Sequence, residues 1–213
     1  MAQAGFDRGF RRALLIAAAI TAIVAGGIGF ATGRASTLVT STPTTASAAA
    51  GFARDMQVHH NQGVELAMLA YLRTDDSAVR TLAYDIATTQ AQQSGQMYGW
   101  LTQWGLPQFS AAPAMSWMAD HEGHGSASAE SGVMPGMASE DSIDELTAAR
   151  GVEADRLFLT LMISHHQGAV EMADAVLERT DNPSVRTLAT NVEQSQTSEI
   201  TLMRTMLEAL PAA

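Results

Sequence analysis

Two pairs of adjacent histidines carry the side chains best suited to chemistry in this sequence. The first lies in Met56-Gln57-Val58-His59-His60-Asn61-Gln62-Gly63-Val64-Glu65, the second in Met162-Ile163-Ser164-His165-His166-Gln167-Gly168-Ala169-Val170-Glu171. In each, a methionine stands three residues before the first histidine, about one turn earlier on a helix. Imidazole binds copper in either oxidation state, and thioether sulfur favours Cu(I). Carboxylate-bridged di-iron bundles need Glu-x-x-His on each of two helices, and here Met56 and Met162 replace that glutamate. The hard ligands that iron wants are therefore missing, while zinc gains little from methionine. Copper, as Cu(I) or Cu(II), is the expected ion, with silver as a second. The competing reading is a hydrogen-bonded core network in which glutamines serve the imidazoles and the methionines only fill space.

The two motifs lie 106 residues apart, and the same offset matches Phe52 to Phe158, Val79-Arg80-Thr81-Leu82-Ala83 to Val185-Arg186-Thr187-Leu188-Ala189, and Met97 to Met203, without a gap. Each copy reads as a helical hairpin. Phe52, Met56, His59, Gly63, Leu66 and Ala70 alternate steps of four and three, as do Phe158, Met162, His165, Ala169, Met172 and Val176, so each set forms one seam of a helix. The helices stop near Thr74-Asp75-Asp76 and Asp181-Asn182-Pro183, where an Asp or Asn can cap the next helix and Pro183 suits its first turn. Four long helices in two hairpins joined by a long link predict an all-α, ferritin-like four-helix bundle. Counting back from the turns places Gln90 beside His59, Gln93 beside Met56, Gln196 beside His165 and Glu199 beside Met162. An unsatisfied buried polar group costs about 1–3 kcal/mol, so a His/Gln/Glu layer in the core needs partners or an ion. Arg73 and Arg179, and Arg80 and Arg186, are expected to serve the hairpin ends.

Residues 105–140 break the helical pattern with eight glycines and prolines. They hold Met115 and Met118, His121 and His124, and Met134 and Met137, three pairs each spaced by three. Such pairs can fold around one soft ion, or the methionines can simply pack on the bundle. Residues 139–150 then read as a short capped helix before Gly151.

The N-terminus is of a different kind. Residues 13–32 are an uncharged stretch of 20 preceded by Arg8, Arg11 and Arg12. That is about one bilayer span, and the positive-inside rule leaves the remainder outside the cytoplasm. The expectation is a signal anchor over residues 1–35, a Ser/Thr/Ala-rich tether over 36–50 and the bundle domain over 51–210, with repeats 51–104 and 141–210 around the connector. A cleaved signal peptide, with a secreted or periplasmic product, is the alternative. Cysteine is absent, which excludes disulfides and thiolate chemistry. Residues 36–213 hold 21 of the 22 acids but 8 of the 12 arginines, a balance of −13 that disfavours nucleic acid.

The run Met162-x-x-His165-His166-Gln167-Gly168-Ala169-Val170-Glu171-Met172-Ala173, its degenerate copy from Met56 to Ala67, and Met134-Pro135-Gly136-Met137 ahead of the third helix resemble bacterial domain-of-unknown-function family 305. The resemblance implies a ferritin-like bundle, exported and often membrane-anchored, linked to copper binding and copper tolerance. Carried over by position, it implicates Met56, His59, His60, Met162, His165 and His166, with Met134 and Met137 beside them. The first copy departs from the family run at Asn61, Gln62 and Gly63. Together these readings predict an extracytoplasmic copper-binding protein that buffers or passes on the metal. No catalytic constellation is visible. A metal-free scaffold for an envelope partner and a redox metalloenzyme are the alternatives.

Overall fold

The computed structural model describes residues 21–30, 42–118 and 134–211. The chain divides into two compact units, residues 1–42 and 43–213. In the first, residues 21–30 are helical and exposed. The rest of the expected membrane span, residues 13–20 and 31–32, lies outside the described residues, as do His121 and His124 of the connector. Among the described residues no helix is long and apolar enough to cross a membrane.

The second unit is all-helical, with no strand among the described residues. Helices α1 (Ala48–Arg73) and α2 (Ser77–Gln103) form one hairpin; α4 (Gly151–Leu177) and α5 (Pro183–Ala209) form the other. Between them, among the described residues, lie the 3-10 turn Ser116–Met118 and the short helix α3 (Glu140–Ala148). The polar residues at the hairpin turns set the boundaries. Asp76 Oδ1 accepts from the amides of Ala78 and Val79, and Asn182 Oδ1 from those of Ser184 and Val185, with Pro183 in the first turn of α5. Each cap satisfies amides that the first turn leaves free and is worth about 1 kcal/mol. At the opposite side of each turn an arginine gathers carbonyls of the preceding helix. Arg80 donates to Tyr71 and Thr74, and Arg186 donates to the equivalent Leu177 and Thr180.

Two apolar clusters fill the bundle. The first draws Phe52, Met56 and Ala53 from the start of α1, Met97 and Leu101 from the end of α2, Met172 and Val176 from the end of α4, and Val185 and Leu188 from the start of α5. The second takes the other ends: Leu66 and Ala70, Val79 and Ile86, Phe158 and Met162, Ile200 and Met203. The two hairpins are thus related by an approximate two-fold axis across the bundle, with α1 antiparallel to α4. His59, His60, His165 and His166 belong to neither cluster; they form the layer between them, with Gln90, Gln93 and Gln196 buried at the same level.

Candidate metal centre

All four histidines are fully buried, and each uses its Nε2 in the same way. His60 Nε2 lies 2.8 Å from Gln93 Oε1 and His166 Nε2 lies 2.6 Å from Glu199 Oε2. His59 Nε2 donates to the carbonyl of Pro135 at 2.9 Å, and His165 Nε2 donates to the carbonyl of His59 at 2.8 Å. A carbonyl can only accept, so in these two neutral rings the proton sits on Nε2 and Nδ1 keeps a bare lone pair. The oxygen partners of His60 and His166 favour the same tautomer. The Nδ1 atoms of all four rings are buried and make no hydrogen bond. The rings of His59 and His165 lie 3.9 Å apart between centroids, inclined by 34°.

Burial keeps His59, His60 and His165 neutral. Desolvation lowers His60 to about 3, with the neighbouring His59 adding to it, and lowers His59 to about 4 against the raising effect of its bond to Pro135. His165 is pushed well below its ordinary value, again chiefly by burial and then by His59. Neutral imidazole with one nitrogen fixed by an outer acceptor is the form that binds metals. Among the described residues, no group of three or more His, Asp or Glu side chains is placed to hold an ion by itself.

The expected facing of the layers is corrected by one helical turn. Gln93 meets His60 rather than Met56, and Glu199 meets His166 rather than Met162. Gln90 sits beside Gly63 instead of His59: a Cβ on Gly63 would lie 2.0 Å from Gln90 Oε1 and 2.8 Å from His165 Cε1. The cause is side-chain direction. Helical side chains lean toward their own N-terminus, so in an antiparallel pair a long glutamine on α2 reaches back toward the turn while the histidine on α1 leans away from it. Both amide atoms of Gln90 and the Oε1 of Gln196 are buried without a partner.

The methionines do not gather at one point. Met56 and Met162 are fully buried but lie in opposite clusters, on either flank of the histidines. Met115 and Met118 are fully buried with Met56, Met97 and Met172 in the first cluster, and half-buried Met134 packs against it. Met137 is half-buried at the end of the turn that Met134 opens, where its amide approaches the Met134 carbonyl at 3.5 Å. Asp55 ties down the start of the connector, its Oδ2 accepting from the Met115 amide and from Trp117 Nε1, each at 2.8 Å. This bond helps hold Met115 at φ 65°, an unusual conformation for a non-glycine residue. Burial raises the Asp55 carboxyl above its ordinary value. A cavity of about 630 Å³ beside this corner is lined by Arg54, Asp55, Phe109 and Trp117 among others and by no histidine. Sequence reasoning passed over Asp55, Gln62 and the Pro135 carbonyl. Only Gln62 left a trace, as a break in the repeat.

The sequence matches the family described as "Domain of unknown function (DUF305)" over residues 49–207, and the chain belongs to that family. A family protein from Streptomyces coelicolor, provisionally classed as secreted, is 43% identical with a TM-score of 0.70, over 80% of this chain and 99% of that one. A DUF305 fragment from Deinococcus radiodurans is 34% identical with a TM-score of 0.60, over 75% and 94%. CopM in its Cu(II)-bound form is 29% identical with a TM-score of 0.58, over 76% and 96%. Its Cu(I)-bound form aligns at 25% identity and a TM-score of 0.56, over 74% and 93%, and a silver-bound form is equally similar. These structures connect the family with copper and silver. No curated protein matches the sequence.

Proposed function

We propose that this chain is an extracytoplasmic, ferritin-like copper-binding protein that buffers or hands on the metal through histidine and methionine ligands. The observation that carries the reading is the set of four buried imidazoles, each fixed through Nε2 and each with a free Nδ1. Leaving the acceptors of the neutral His59, His60 and His165 dry in a core would cost about 1–3 kcal/mol apiece, a substantial part of a domain's stability. Ligation by a cation removes that cost. The outer partners are those that metal-bound histidines use: two carbonyls, an amide oxygen and a carboxylate.

His59, His60, His165 and His166 supply nitrogen, and Met56 and Met162 flank them with sulfur. Met134, Met115 and Met118 extend the sulfur on the Met56 side, and Met137 closes the turn that Met134 opens. Such a mixed set suits Cu(I) and silver through thioether and accommodates Cu(II) through imidazole. The copper- and silver-bound CopM structures support this assignment by similarity. The apolar run at residues 13–32 serves export, as an anchor or as a cleaved signal, and the secreted classification of the Streptomyces relative supports export. The chain binds without turnover.

The test is metal content. Residues 36–213 exposed to copper and then desalted should retain it, and a variant with Met56, His59, His60, Met162, His165 and His166 replaced should not. Equal copper in both would overturn the reading and favour a metal-free scaffold. Continued Cu(I) oxidation beyond one equivalent per site would identify an enzyme instead.

A further inference from the structure

The two repeats share a pattern, but the single connector can touch it only once. Gln62 and Gly168 occupy equivalent positions 106 residues apart. The amide of Gln62 brackets the connector backbone: its Nε2 donates to the Ala138 carbonyl at 3.0 Å, and its Oε1 accepts from the Ala138 amide at 2.7 Å. Gly168 does the opposite and makes room. A Cβ there would stand 1.9 Å from the Pro135 carbonyl oxygen. Between these anchors Gly136, at φ 73°, passes so close to α4 that a Cβ would lie 2.2 Å from the Ser164 carbonyl oxygen. Pro135 followed by a positive-φ glycine is the sequence of a type II turn, whose corners are Met134 and Met137.

The layer records this intrusion. His165 donates to the His59 carbonyl, and exact two-fold symmetry would have His59 donate to the His165 carbonyl. It donates to Pro135 instead. We propose that Gln62 and Gly168 are positioning residues that seat the Met134–Met137 turn on His59, giving one face of the histidine layer thioethers from the connector and the other face none from it. The seat follows from this geometry alone; its consequence for copper rests on the function proposed above. A glutamine at both positions would collide with the turn, and a glycine at both would leave it untied, so the repeats had to differ here.

Methyl-labelled methionine resonances of the metal-free protein test the seat directly. The wild type should show dispersed Met134 and Met137 signals. Gln62→Ala and Gly168→Ala should move both toward random-coil positions while Met162 and Met203 stay in place. Gln62→Glu, which keeps the shape and loses donation to Ala138, should give a smaller shift of the same two signals, and it decides the matter if an alanine variant fails to fold. Unmoved Met134 and Met137 signals overturn the seat. With Cu(I) bound, X-ray absorption of Gln62→Ala should show fewer sulfur neighbours and competition with a chelator about 10-fold to 100-fold weaker affinity. Unchanged sulfur coordination in a variant whose methyls have moved overturns the thioether cap. A wild type that takes up no copper refutes the copper reading while the methyl shifts still judge the seat.

Discussion

The two apolar halves of the bundle descend from one pattern and have become chemically different. Met56, Met97 and Met172 in the first half correspond to Met162, Met203 and Leu66 in the second. The connector widens the gap. It adds Met115, Met118 and Met134 to the first half, whereas Ala138 and, from α3, Ile143 and Leu146 join the second. The polar layer differs too, with an amide, Gln93, serving His60 and a carboxylate, Glu199, serving His166. Duplication provides two equivalent frames, and a single unrepeated segment decides which frame is rich in sulfur.

The largest effect expected is that of acid, because it acts on the layer both halves share. Burial holds His59 near 4 and His60 near 3 in the folded state, below the unfolded value of 6.5. Between pH 6.5 and about 4 the unfolded chain therefore binds more protons, so stability falls as the pH falls and the loss is absent above 6.5. Each of these histidines contributes about 1.4 kcal/mol per pH unit across that window. Urea midpoints of the metal-free domain should drop steeply below pH 6; a flat profile down to pH 4 would mean that the rings are not buried as described.

Next come the paired phenylalanines. Phe52→Ala and Phe158→Ala each remove a fully buried ring and should cost about 3–5 kcal/mol. Phe52 also meets Trp117 edge-on at 5.9 Å, so only its loss should shift tryptophan emission in the native state. Equal shifts from both variants would show the halves to be coupled across the layer. Smaller, about 1–2 kcal/mol at pH 5, is the gain expected from Gln93→Glu, which gives His60 the carboxylate that His166 has; an opposite charge favours imidazolium and should ease the acid loss. Smallest in stability are Met115→Leu and Met118→Leu, near-isosteric swaps costing under about 1.5 kcal/mol. Silver uptake, measured calorimetrically, should nonetheless fall for these two and stay constant for Met203→Leu in the other half.

Much of this architecture was legible because local rules and tertiary packing agree. The hairpin turns fall in the expected stretches, with Asp76 and Asn182 as the caps, and the seams from Phe52 to Ala70 and from Phe158 to Val176 face inward throughout. The doublets are buried and share one layer. The facing of that layer was misjudged by a turn because level counting follows Cα atoms and ignores the lean of Gln93 and Glu199. The connector's path was not legible either, since it is fixed by a backbone carbonyl of Pro135 and by space left at Gly168, neither of which has a side-chain signature. The separation of Met56 from Met162 follows from α1 and α4 running antiparallel, which spacing within one repeat cannot express.

The close contact between the rings of His59 and His165 has a historical consequence. They meet at the axis that relates the two hairpins, and each hairpin closes its own turn with its own cap and arginine. A self-associating hairpin of fewer than sixty residues, the length of Ala48–Gln103, could have built the whole layer as a homodimer before any linker existed. Cutting the chain within the connector should accordingly leave two fragments able to reassemble, with the contact between the two imidazoles restored as they do.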